Sequence, residues 1–290
     1  MKVVCEDKKI NSMNLPTITV VTPSLNHAEY IEQTIQSVLN QNYPKPQYIV
    51  IDGGSSDKSV DIIREYEENI DYWISEPDRG QSDAINKGLR YATGDIVCWL
   101  NSDDLLMPNT LIEVGRAFME NPSIEVVTGY TLYVDRQLRI LYNHYTPCPK
   151  SWLAKRGVLY FGPLMFWKKD LLNRIGYLDE NLHYCMDCDL WMRFHSVKVN
   201  VFHIRKILSV WRFHEMCKSN TRGKLVDKER LMLRDRYRDM HYLDSVGWAK
   251  LVYRAWKVFN GDYLKQWLFK CKWKGRLLNE LIESIEDGTP

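Results

Sequence analysis

The chain has 290 residues, of which 45% are hydrophobic and 26% are charged, and its formal net charge is +2. This composition is that of an ordinary globular protein. No uninterrupted apolar stretch approaches the roughly 18 residues that span a bilayer, and no secretory signal pattern stands at the start. Seven scattered cysteines indicate reduced thiols rather than a disulfide framework. We therefore expect the protein to remain in the cytosol.

Strands and helices are predicted to alternate from residue 16 to about residue 128. Short β-branched or apolar runs predict strands at residues 18–21, 48–52 and 70–75, and a fourth just before residue 101. Between them, apolar residues recur at helical spacing near residues 31–39, 57–66 and 84–92. Such alternation predicts an α/β fold whose mainly parallel sheet is flanked by helices.

Four polar clusters follow these strands, at residues 22–26, 52–57, 78–83 and 101–104. Each alone is explained by a turn or a helix cap. Loops after parallel strands gather along one edge of the sheet, so we expect the clusters to meet there and bind a ligand. The candidate donor-binding residues are Thr22, Pro23, Ser24, Asn26, Asp52, Gly54, Arg79, Gln81, Asp83, Asn101 and Ser102.

The tip of the fourth strand carries two adjacent carboxylates, Asp103 and Asp104. Paired oxygen ligands at a strand end favour Mn²⁺ or Mg²⁺, which shares its coordination with substrate phosphates. The alternative is an exposed turn that caps the next helix, because Pro108 stands where a helix could begin. The motif alone supports both interpretations equally, and the three neighbouring clusters favour the metal.

These segments resemble the nucleotide-binding half of a family 2 glycosyltransferase with the GT-A fold. The matching pieces are Val-Val-Thr-Pro-Ser-Leu-Asn, Val-Ile-Asp-Gly-Gly-Ser-Ser-Asp, Asp-Arg-Gly-Gln-Ser-Asp-Ala-Ile-Asn-Lys-Gly and Trp-Leu-Asn-Ser-Asp-Asp. The resemblance implies a Rossmann-like mixed sheet and an inverting enzyme that uses a nucleoside diphosphate sugar, with a UDP-sugar favoured. By the same resemblance, Asp52 would contact the base and Asp103 would bind the metal. Asn101 replaces the first residue of the usual Asp-X-Asp, so more of the metal binding falls on Asp103, and Asp104 is an auxiliary residue.

A second acidic segment, residues 184–193, resembles the family's Glu-Asp-X-Asp motif with Met186 in place of the glutamate. Asp187 then falls on the position of the catalytic base, and Asp189 on that of a supporting residue. An inverting displacement needs one such carboxylate to accept the proton of the acceptor hydroxyl. The alternative for Asp187 is a helix N-cap.

Cys185 and Cys188 surround this aspartate in a Cys-X-X-Cys arrangement. A structural zinc site needs four ligands, and no second pair at finger spacing accompanies this one. We therefore expect both cysteines to be small buried hydrophobic residues beside the active site.

His214 follows a strand predicted at residues 201–210, within an Arg-X-His segment that family members often carry. The resemblance implies that His214 completes the metal site, while Arg212 and Lys218 contact the diphosphate. A structural histidine is an equally supported alternative.

Several aromatic residues are candidate platforms for the sugar of the acceptor, although most aromatic residues of this kind belong to a core. Residues 161–167 resemble the strand that ends near the acceptor pocket. The aromatic candidates are Trp152, Tyr160, Phe161, Trp167 and Trp191.

The last part of the chain has a different composition. Residues 219–242 predict a charged helix with a solvated face. Residues 248–276 predict two amphipathic helices, and residues 250–276 hold eight basic residues against one acid. This pattern favours either peripheral contact with an anionic membrane, at its inner face, or a helical hairpin that docks on the catalytic domain. No nucleic-acid-binding module accompanies the charge, so nucleic acid is not an expected partner.

We therefore predict an N-terminal segment (1–15), a GT-A catalytic domain (16–218) and a helical C-terminal extension (219–290). The catalytic domain divides into a nucleotide-binding half (16–128) and an acceptor half (129–218). A nucleotidyltransferase would need a Gly-rich basic loop after the first strand, and a dinucleotide-dependent oxidoreductase would need Gly-X-Gly-X-X-Gly there. Residues 22–26 follow that strand and show neither feature, so the sequence disfavours both classes. The expected acceptor is a saccharide or a polyprenyl-linked saccharide, in cell-surface polysaccharide or glycolipid assembly. The alternative is a catalytically weak or inactive sugar-binding protein of the same fold.

Overall fold

The computed structural model describes residues 15–44, 46–144, 164–218, 223–240, 246–259 and 261–287. Within these residues a single mixed sheet has nine strands in the order β3-β2-β1-β4-β8-β6-β9-β5, with β7 paired to β6. The strands are β1 (Ile18–Ser24), β2 (Gln47–Asp52), β3 (Tyr72–Ser75), β4 (Ile96–Trp99), β5 (Leu105–Leu106), β6 (Val126–Asp135), β7 (Ile140–His144), β8 (Met165–Lys168) and β9 (Val201–Phe213).

Helices cover the sheet and extend the chain at its C-terminal end. The α-helices of the described ranges are α1 (Ile31–Leu39), α2 (Ser59–Glu65), α3 (Gln81–Tyr91), α4 (Thr110–Glu120), α5 (Leu172–Ile175), α6 (Met186–Ser196), α7 (Lys224–Arg236), α8 (Val246–Phe259), α9 (Asp262–Trp273) and α10 (Leu278–Glu286).

The first four strands form the parallel part of the sheet that the sequence predicts. Ser24 of β1 lies opposite Asp52 of β2, and Asp52 lies opposite Ser75 of β3. Because these strands end in register, the polar residues that follow them emerge at the same edge. Beyond β4 the pairing becomes mixed, since β8 is antiparallel to both β4 and β6. The predicted fold class, an α/β fold with a mixed sheet, is confirmed.

Two apolar layers hold the helices on the sheet. One contains Ile85 of α3 and Leu190 of α6, and the other contains Ile35 of α1 and Val114 of α4. All four side chains are at most 1% exposed. The helices therefore shield both faces of the strands that position the polar edge.

No helix begins directly after Asp104, although the sequence allowed this residue to cap one. The short strand β5 follows directly, and α4 begins only at Thr110, beyond Pro108. Asn109 precedes that helix in the left-handed conformation, with φ of 63°. Asp104 therefore lies too far from α4 to cap it, and the capping interpretation is wrong.

The C-terminal helices pack partly into the catalytic sheet. Helix α7 was predicted to be solvated, yet Val226, Glu229 and Leu233 on one of its faces are buried. Trp273 at the end of α9 and Leu278 of α10 belong to an apolar cluster with strand residues of the sheet. None of the helices among the described residues has the length and apolar character that crossing a bilayer requires.

Candidate active site

A cleft of about 580 Å³ opens at the polar edge of the sheet. Its lining includes eight of the predicted site residues, namely Pro23, Ser24, Gln81, Asn101, Ser102, Asp103, Asp187 and Lys218. These residues come from both predicted halves of the catalytic domain. A cleft of this size accommodates a ligand of several hundred cubic ångströms.

Asp103, in the lining of this cleft, contacts His214, which is buried and lies outside the lining, although 111 positions separate the two residues in the chain. The distance from Asp103 Oδ2 to His214 Nε2 is 3.0 Å. Cys217 joins them, and one ligand atom from each of the three residues lies within 4.8 Å of the other two. An oxygen, a nitrogen and a sulfur at this spacing fit a divalent transition-metal ion.

Cys217 was absent from the predicted site residues. The signal that could have revealed it is the spacing His214-X-X-Cys217, which places two metal-binding side chains on one turn. The backbone N–H of Cys217 donates to the carbonyl of His214 at 3.1 Å and closes that turn. His27 was also missed, although its Nδ1 lies 2.7 Å from Ser102 Oγ and it lines the cleft.

Asp104 points away from the metal-binding group. Its Oδ1 accepts the backbone N–H of Arg212 at 3.1 Å, and its Oδ2 accepts the side-chain amide of Asn101 at 3.0 Å. Burial and the neighbouring charge of Asp103 raise the pKa of Asp104 well above its ordinary value. Asp104 thus fastens β9 to the tip of β4, and an auxiliary role in metal binding stays a prediction.

Arg212 is buried behind the cleft and does not belong to its lining. Its guanidinium donates to Gln33 Oε1 at 2.6 Å and lies 4.8 Å from the ring centre of Tyr30. This position corrects the assignment of Arg212 to donor binding, because its side chain faces the protein interior. Burial lowers the pKa of Arg212, and the carboxylates of Asp104 and Asp103 oppose that effect.

Asn101 uses both ends of its amide within the protein. Its Oδ1 accepts Gln81 Nε2 at 2.8 Å, while its Nδ2 donates to Asp104. The side chain connects the start of α3 with the tip of β4.

Asp52 is fully buried and organises the loop after β2. Its Oδ2 accepts the backbone N–H groups of Gly54 and Ser55 at 3.1 and 2.8 Å and the hydroxyl of Ser75 at 2.7 Å. The hydroxyl of Ser55 donates to the other oxygen. A contact between Asp52 and a base would require one of these hydrogen bonds to be exchanged, so that role stays a prediction.

Three further predicted residues hold the edge loops together. The buried hydroxyl of Thr22 accepts the phenol of Tyr48 at 3.2 Å, and Asn26 Oδ1 accepts the backbone N–H of Ser56 at 2.8 Å. Gly54 has φ of 84°, a left-handed conformation that favours glycine. These residues shape the cleft without lining it.

Arg79 and Asp83 form an ion pair next to the cleft rather than in its lining. Arg79 Nη2 lies 3.2 Å from Asp83 Oδ1 and 2.5 Å from Glu180 Oε2. Asp83 is buried and also accepts the backbone N–H of Arg79 at 3.1 Å. The Arg79 side chain is 72% exposed, so a donor phosphate could compete for it only against these two carboxylates.

Asp187 lies within the first turn of α6 and lines the cleft. Cys185 is the N-cap residue of this helix, so the interpretation of Asp187 as its N-cap is wrong. The Asp187 side chain is open to solvent through the cleft. Enclosure by the cleft walls raises its pKa, while its hydrogen bond from the Cys188 N–H and the charge of Lys218 oppose the rise. A carboxylate with a raised pKa is suited to accept a proton.

Met186 occupies the position where the family carries glutamate. It is 7% exposed, and its sulfur accepts the hydroxyl of Ser82 at 2.9 Å. Ser82 also donates to the carbonyl of Leu182. Met186 therefore helps to anchor α6 to α3.

Helix α7 holds the segment that carries Asp187. Glu229 accepts the backbone N–H groups of His183, Tyr184 and Cys185 at 2.8, 2.8 and 2.9 Å. The sequence did not reveal Glu229, because it lies 36 positions beyond the end of the acidic segment 184–193, in a segment interpreted as solvated.

Asp189 provides a second connection between α6 and α7. It is 1% exposed, and it accepts Arg193 Nε at 2.9 Å, Arg236 Nη1 at 2.7 Å and the phenol of Tyr237 at 2.7 Å. These contacts tie the acidic motif to the C-terminal region, and a supporting role of Asp189 in catalysis stays a prediction.

The aromatic residues predicted to face an acceptor are mostly elsewhere. Trp167 is fully buried and Trp191 is 4% exposed, and both belong to the core. Their assignment to acceptor binding is wrong, because their rings pack against other apolar residues. Trp152, Tyr160 and Phe161 lie outside the described residues. The aromatic side chains that do line the cleft are Trp99, Tyr133, Tyr184 and Trp211.

Cys185 and Cys188 both lie beside the cleft, and Cys185 is 5% exposed. All five cysteines in the described ranges are free thiols. Among the described residues neither member of this pair belongs to a metal-binding group. Cys185 is the buried residue expected from the sequence, and Cys188 is only partly buried.

A mixed sheet whose parallel strands end at a cleft with an aspartate at the tip of β4 defines a GT-A glycosyltransferase. Comparison with known proteins identifies the family. The model for glycosyl transferase family 2 matches residues 19–200, and the chain belongs to this family. An uncharacterized glycosyltransferase of Rickettsia typhi is 30% identical over 216 residues, which cover 71% of this chain and 67% of the relative.

Solved structures share the same fold. S. aureus TarS 1-349, in complex with UDP-GlcNAc, has a TM-score of 0.58 and 18% identity, over 74% of this chain and 65% of that chain. The mannosyltransferase PcManGT of Pyrobaculum calidifontis, in complex with GDP-Man and Mn²⁺, has a TM-score of 0.55 and 19% identity, over 84% of this chain and 74% of that chain. These likenesses confirm the GT-A fold.

Proposed function

We propose that this glycosyltransferase inverts the configuration of the sugar that it transfers. The donor is a nucleoside diphosphate sugar, with a UDP-sugar favoured, and the acceptor is a hydroxyl of a saccharide or polyprenyl-linked saccharide. The observation that carries the proposal is that Asp103 and Asp187 line the same cleft although they come from the two halves of the sequence. Asp103 can hold a cation that contacts the diphosphate, and Asp187 can accept the proton of the acceptor hydroxyl.

Asp187 is the proposed base. The acceptor oxygen forms a bond to the anomeric carbon as its proton passes to Asp187, and the bond between that carbon and the donor phosphate oxygen breaks on the opposite face. The nucleoside diphosphate leaves, and the configuration at the anomeric carbon is inverted. The raised pKa of Asp187 supports this role, because a base with a higher pKa accepts a proton more readily.

Asp103 and His214 are the proposed ligands of a divalent cation, Mn²⁺ or Mg²⁺. When bound, such a cation neutralises charge that develops on the leaving diphosphate. The contact of 3.0 Å between Asp103 Oδ2 and His214 Nε2 keeps the two donor atoms close together, with Asp103 in the cleft lining. The Mn²⁺ bound with GDP-Man by the mannosyltransferase of the same fold supports this assignment.

Helices α8 and α9 are proposed to contact an anionic membrane surface. Leu251 and Val258 on α8 are 62% and 63% exposed, and Leu264, Trp267 and Leu268 on α9 are 53–60% exposed. Spacings of three, four or seven residues place the members of each set on one side of their helix.

Charge supports the membrane as the occupant of this apolar surface. Residues 250–276 hold eight basic residues and one acid, a composition that attracts anionic lipid headgroups. The alternative is that α8 and α9 dock on the catalytic domain. Docking accounts for the buried Trp273 but not for the exposed apolar side chains of these two helices. Contact with a membrane would bring the cleft near lipid-linked acceptors, as in cell-surface polysaccharide or glycolipid assembly.

The test is a thermal-shift screen of UDP- and GDP-sugars with Mn²⁺, since a ligand that binds the native state raises the unfolding temperature. The stabilising donor is then incubated with saccharide acceptors, and the anomeric configuration of the product is determined by NMR. An inverted product is expected. A retained configuration would contradict the mechanism, and donor binding without transfer or hydrolysis would favour the catalytically inactive binding protein.

A further inference from the structure

We infer that Cys217 supplies a thiolate ligand to the cation site of Asp103 and His214, and that this sulfur makes the site discriminate against Mg²⁺. The inference rests on the cation site of the proposed function, but it requires neither a particular sugar nor catalytic turnover. The inference also distinguishes between the two cations, because only one of the three ligand atoms is an oxygen, the ligand type that Mg²⁺ prefers.

The turn from His214 to Cys217 presents two donor atoms to the same point. Their side chains leave the backbone three residues apart. The backbone N–H of Cys217 donates to the carbonyl of His214 at 3.1 Å, and this hydrogen bond holds the turn closed. Cys217 is 4% exposed, and the surface that it retains faces the cleft. Asp103 completes the group from the turn that follows β4, in a separate part of the fold.

The Cys217 sulfur has two hydrogen-bond partners in this turn. The backbone N–H of His214 donates to Sγ at 3.3 Å and can keep donating to a thiolate. Burial raises the pKa of the Cys217 thiol to about 11, so its charged form depends on the bound cation. The thiol itself donates to the carbonyl of Arg212 at 3.2 Å. Binding of a cation would replace that proton, which passes to solvent, with a sulfur–metal bond.

Three protein ligands leave coordination positions for donor phosphate oxygens and water, as catalytic metal sites require. Sulfur and imidazole ligands favour Co²⁺ and Zn²⁺ strongly and accept Mn²⁺, while Mg²⁺ prefers an octahedral shell of oxygen atoms. The other described cysteines, Cys98, Cys185, Cys188 and Cys271, belong to no comparable group among the described residues.

The experiment is a titration of the full chain with Co²⁺, followed by visible and near-ultraviolet absorption. Wild-type protein is expected to show d–d bands together with a sulfur-to-cobalt charge-transfer band. Cys217→Ser should lose the charge-transfer band and keep weaker Co²⁺ binding, whereas Cys271→Ser, at an exposed position, should keep both. Circular dichroism checks the fold of each protein, and Cys217→Ala serves as a second variant.

Competition with Mg²⁺ measures the selectivity. Excess Mg²⁺ should displace Co²⁺ from Cys217→Ser at a concentration at least ~10-fold lower than from the wild type, because a lost ligand weakens the preference for the softer ion. Cobalt d–d bands without a charge-transfer band in the wild type, or a band that persists in Cys217→Ser, would overturn the thiolate while leaving the site of Asp103 and His214 intact. Absence of any Co²⁺ binding would overturn both.

Discussion

The carboxylate of Glu229 accepts a hydrogen bond of 2.9 Å from the backbone N–H of Cys185, the residue at the N-cap of the helix that carries Asp187. A side chain from the C-terminal helix α7 thereby fixes the start of the helix on which the proposed base stands. Glu229 is 1% exposed and receives two more backbone N–H groups from the same segment. We regard Glu229 as a positioning residue.

Glu229→Gln should weaken this anchor, because a charged acceptor of three N–H groups becomes a neutral one with two donors of its own. We expect the free energy of unfolding to fall by about 1–3 kcal/mol and kcat to fall ~10- to 100-fold, with the donor KM nearly unchanged. Urea denaturation and steady-state kinetics measure both effects. Asp227→Asn, 79% exposed on the same helix, is the control. Equal kcat in both variants would contradict the positioning role.

Asp187→Asn should remove the base while preserving the oxygen that accepts the Cys188 N–H. We expect transfer to slow by ~10²- to 10⁴-fold, and the donor Kd to stay nearly constant. Single-turnover transfer and calorimetric donor binding measure these quantities. Asp61→Asn, 71% exposed on α2, controls for the loss of a carboxylate. Full activity of Asp187→Asn would exclude it as the base.

The pH dependence of kcat should report the raised pKa of Asp187. The base must be deprotonated, so activity is present above its pKa and is lost as the pH falls through it. We therefore expect the acidic limb of the profile above the ordinary aspartate pKa of about 4. Lys218 lowers this pKa, and Lys218→Met should shift the limb to higher pH. Lys228→Met removes an exposed charge from α7 and should not. A limb that stays in place or moves to lower pH in Lys218→Met would contradict this coupling.

Removal of the cation should weaken donor binding through Asp103. We expect EDTA to raise the donor Kd of the wild type at least ~10-fold and to leave the already weak binding of Asp103→Asn unchanged. Glu215→Gln, at an exposed position in the turn that carries His214, should respond to EDTA as the wild type does. Calorimetry with UDP or the donor that the thermal-shift screen selects provides the measurement. Equal sensitivity of Asp103→Asn and wild type to EDTA would refute the ligand assignment.

Leu264 and Leu231 offer a matched test of membrane contact, because both are 60% exposed and stand on different helices. Leu264→Ser should reduce binding to vesicles that contain phosphatidylglycerol by ~10-fold, the effect of about 1.4 kcal/mol of lost burial. Leu231→Ser on α7 should bind as the wild type does. Cosedimentation measures the bound fraction, with phosphatidylcholine vesicles as the uncharged reference. Equal binding of the two variants would reject α9 as the contact surface.

The sequence by itself determined the parallel half of the sheet and its polar edge. Runs such as residues 18–21 and 48–52 alternate with helical spacing, and that periodicity is a local property of the chain. The clusters after these strands belong to one edge because the strands are parallel, so Asp103 could be placed near Gln81 without coordinates. The family followed from the order of the same clusters.

The tertiary structure decided which polar atoms face the cleft and which are used within the protein. Asp52 and Asp104 have carboxylates as Asp103 does, but theirs lie in the interior and accept hydrogen bonds from backbone N–H groups and hydroxyls of the protein. Trp167 and Trp191 pack in the core and do not line the cleft. Glu229 acts through contacts across 44 positions of the chain, which no local pattern encodes. The spacing of His214 and Cys217 is local, but their meeting with Asp103, 114 positions before Cys217, depends on how distant elements pack.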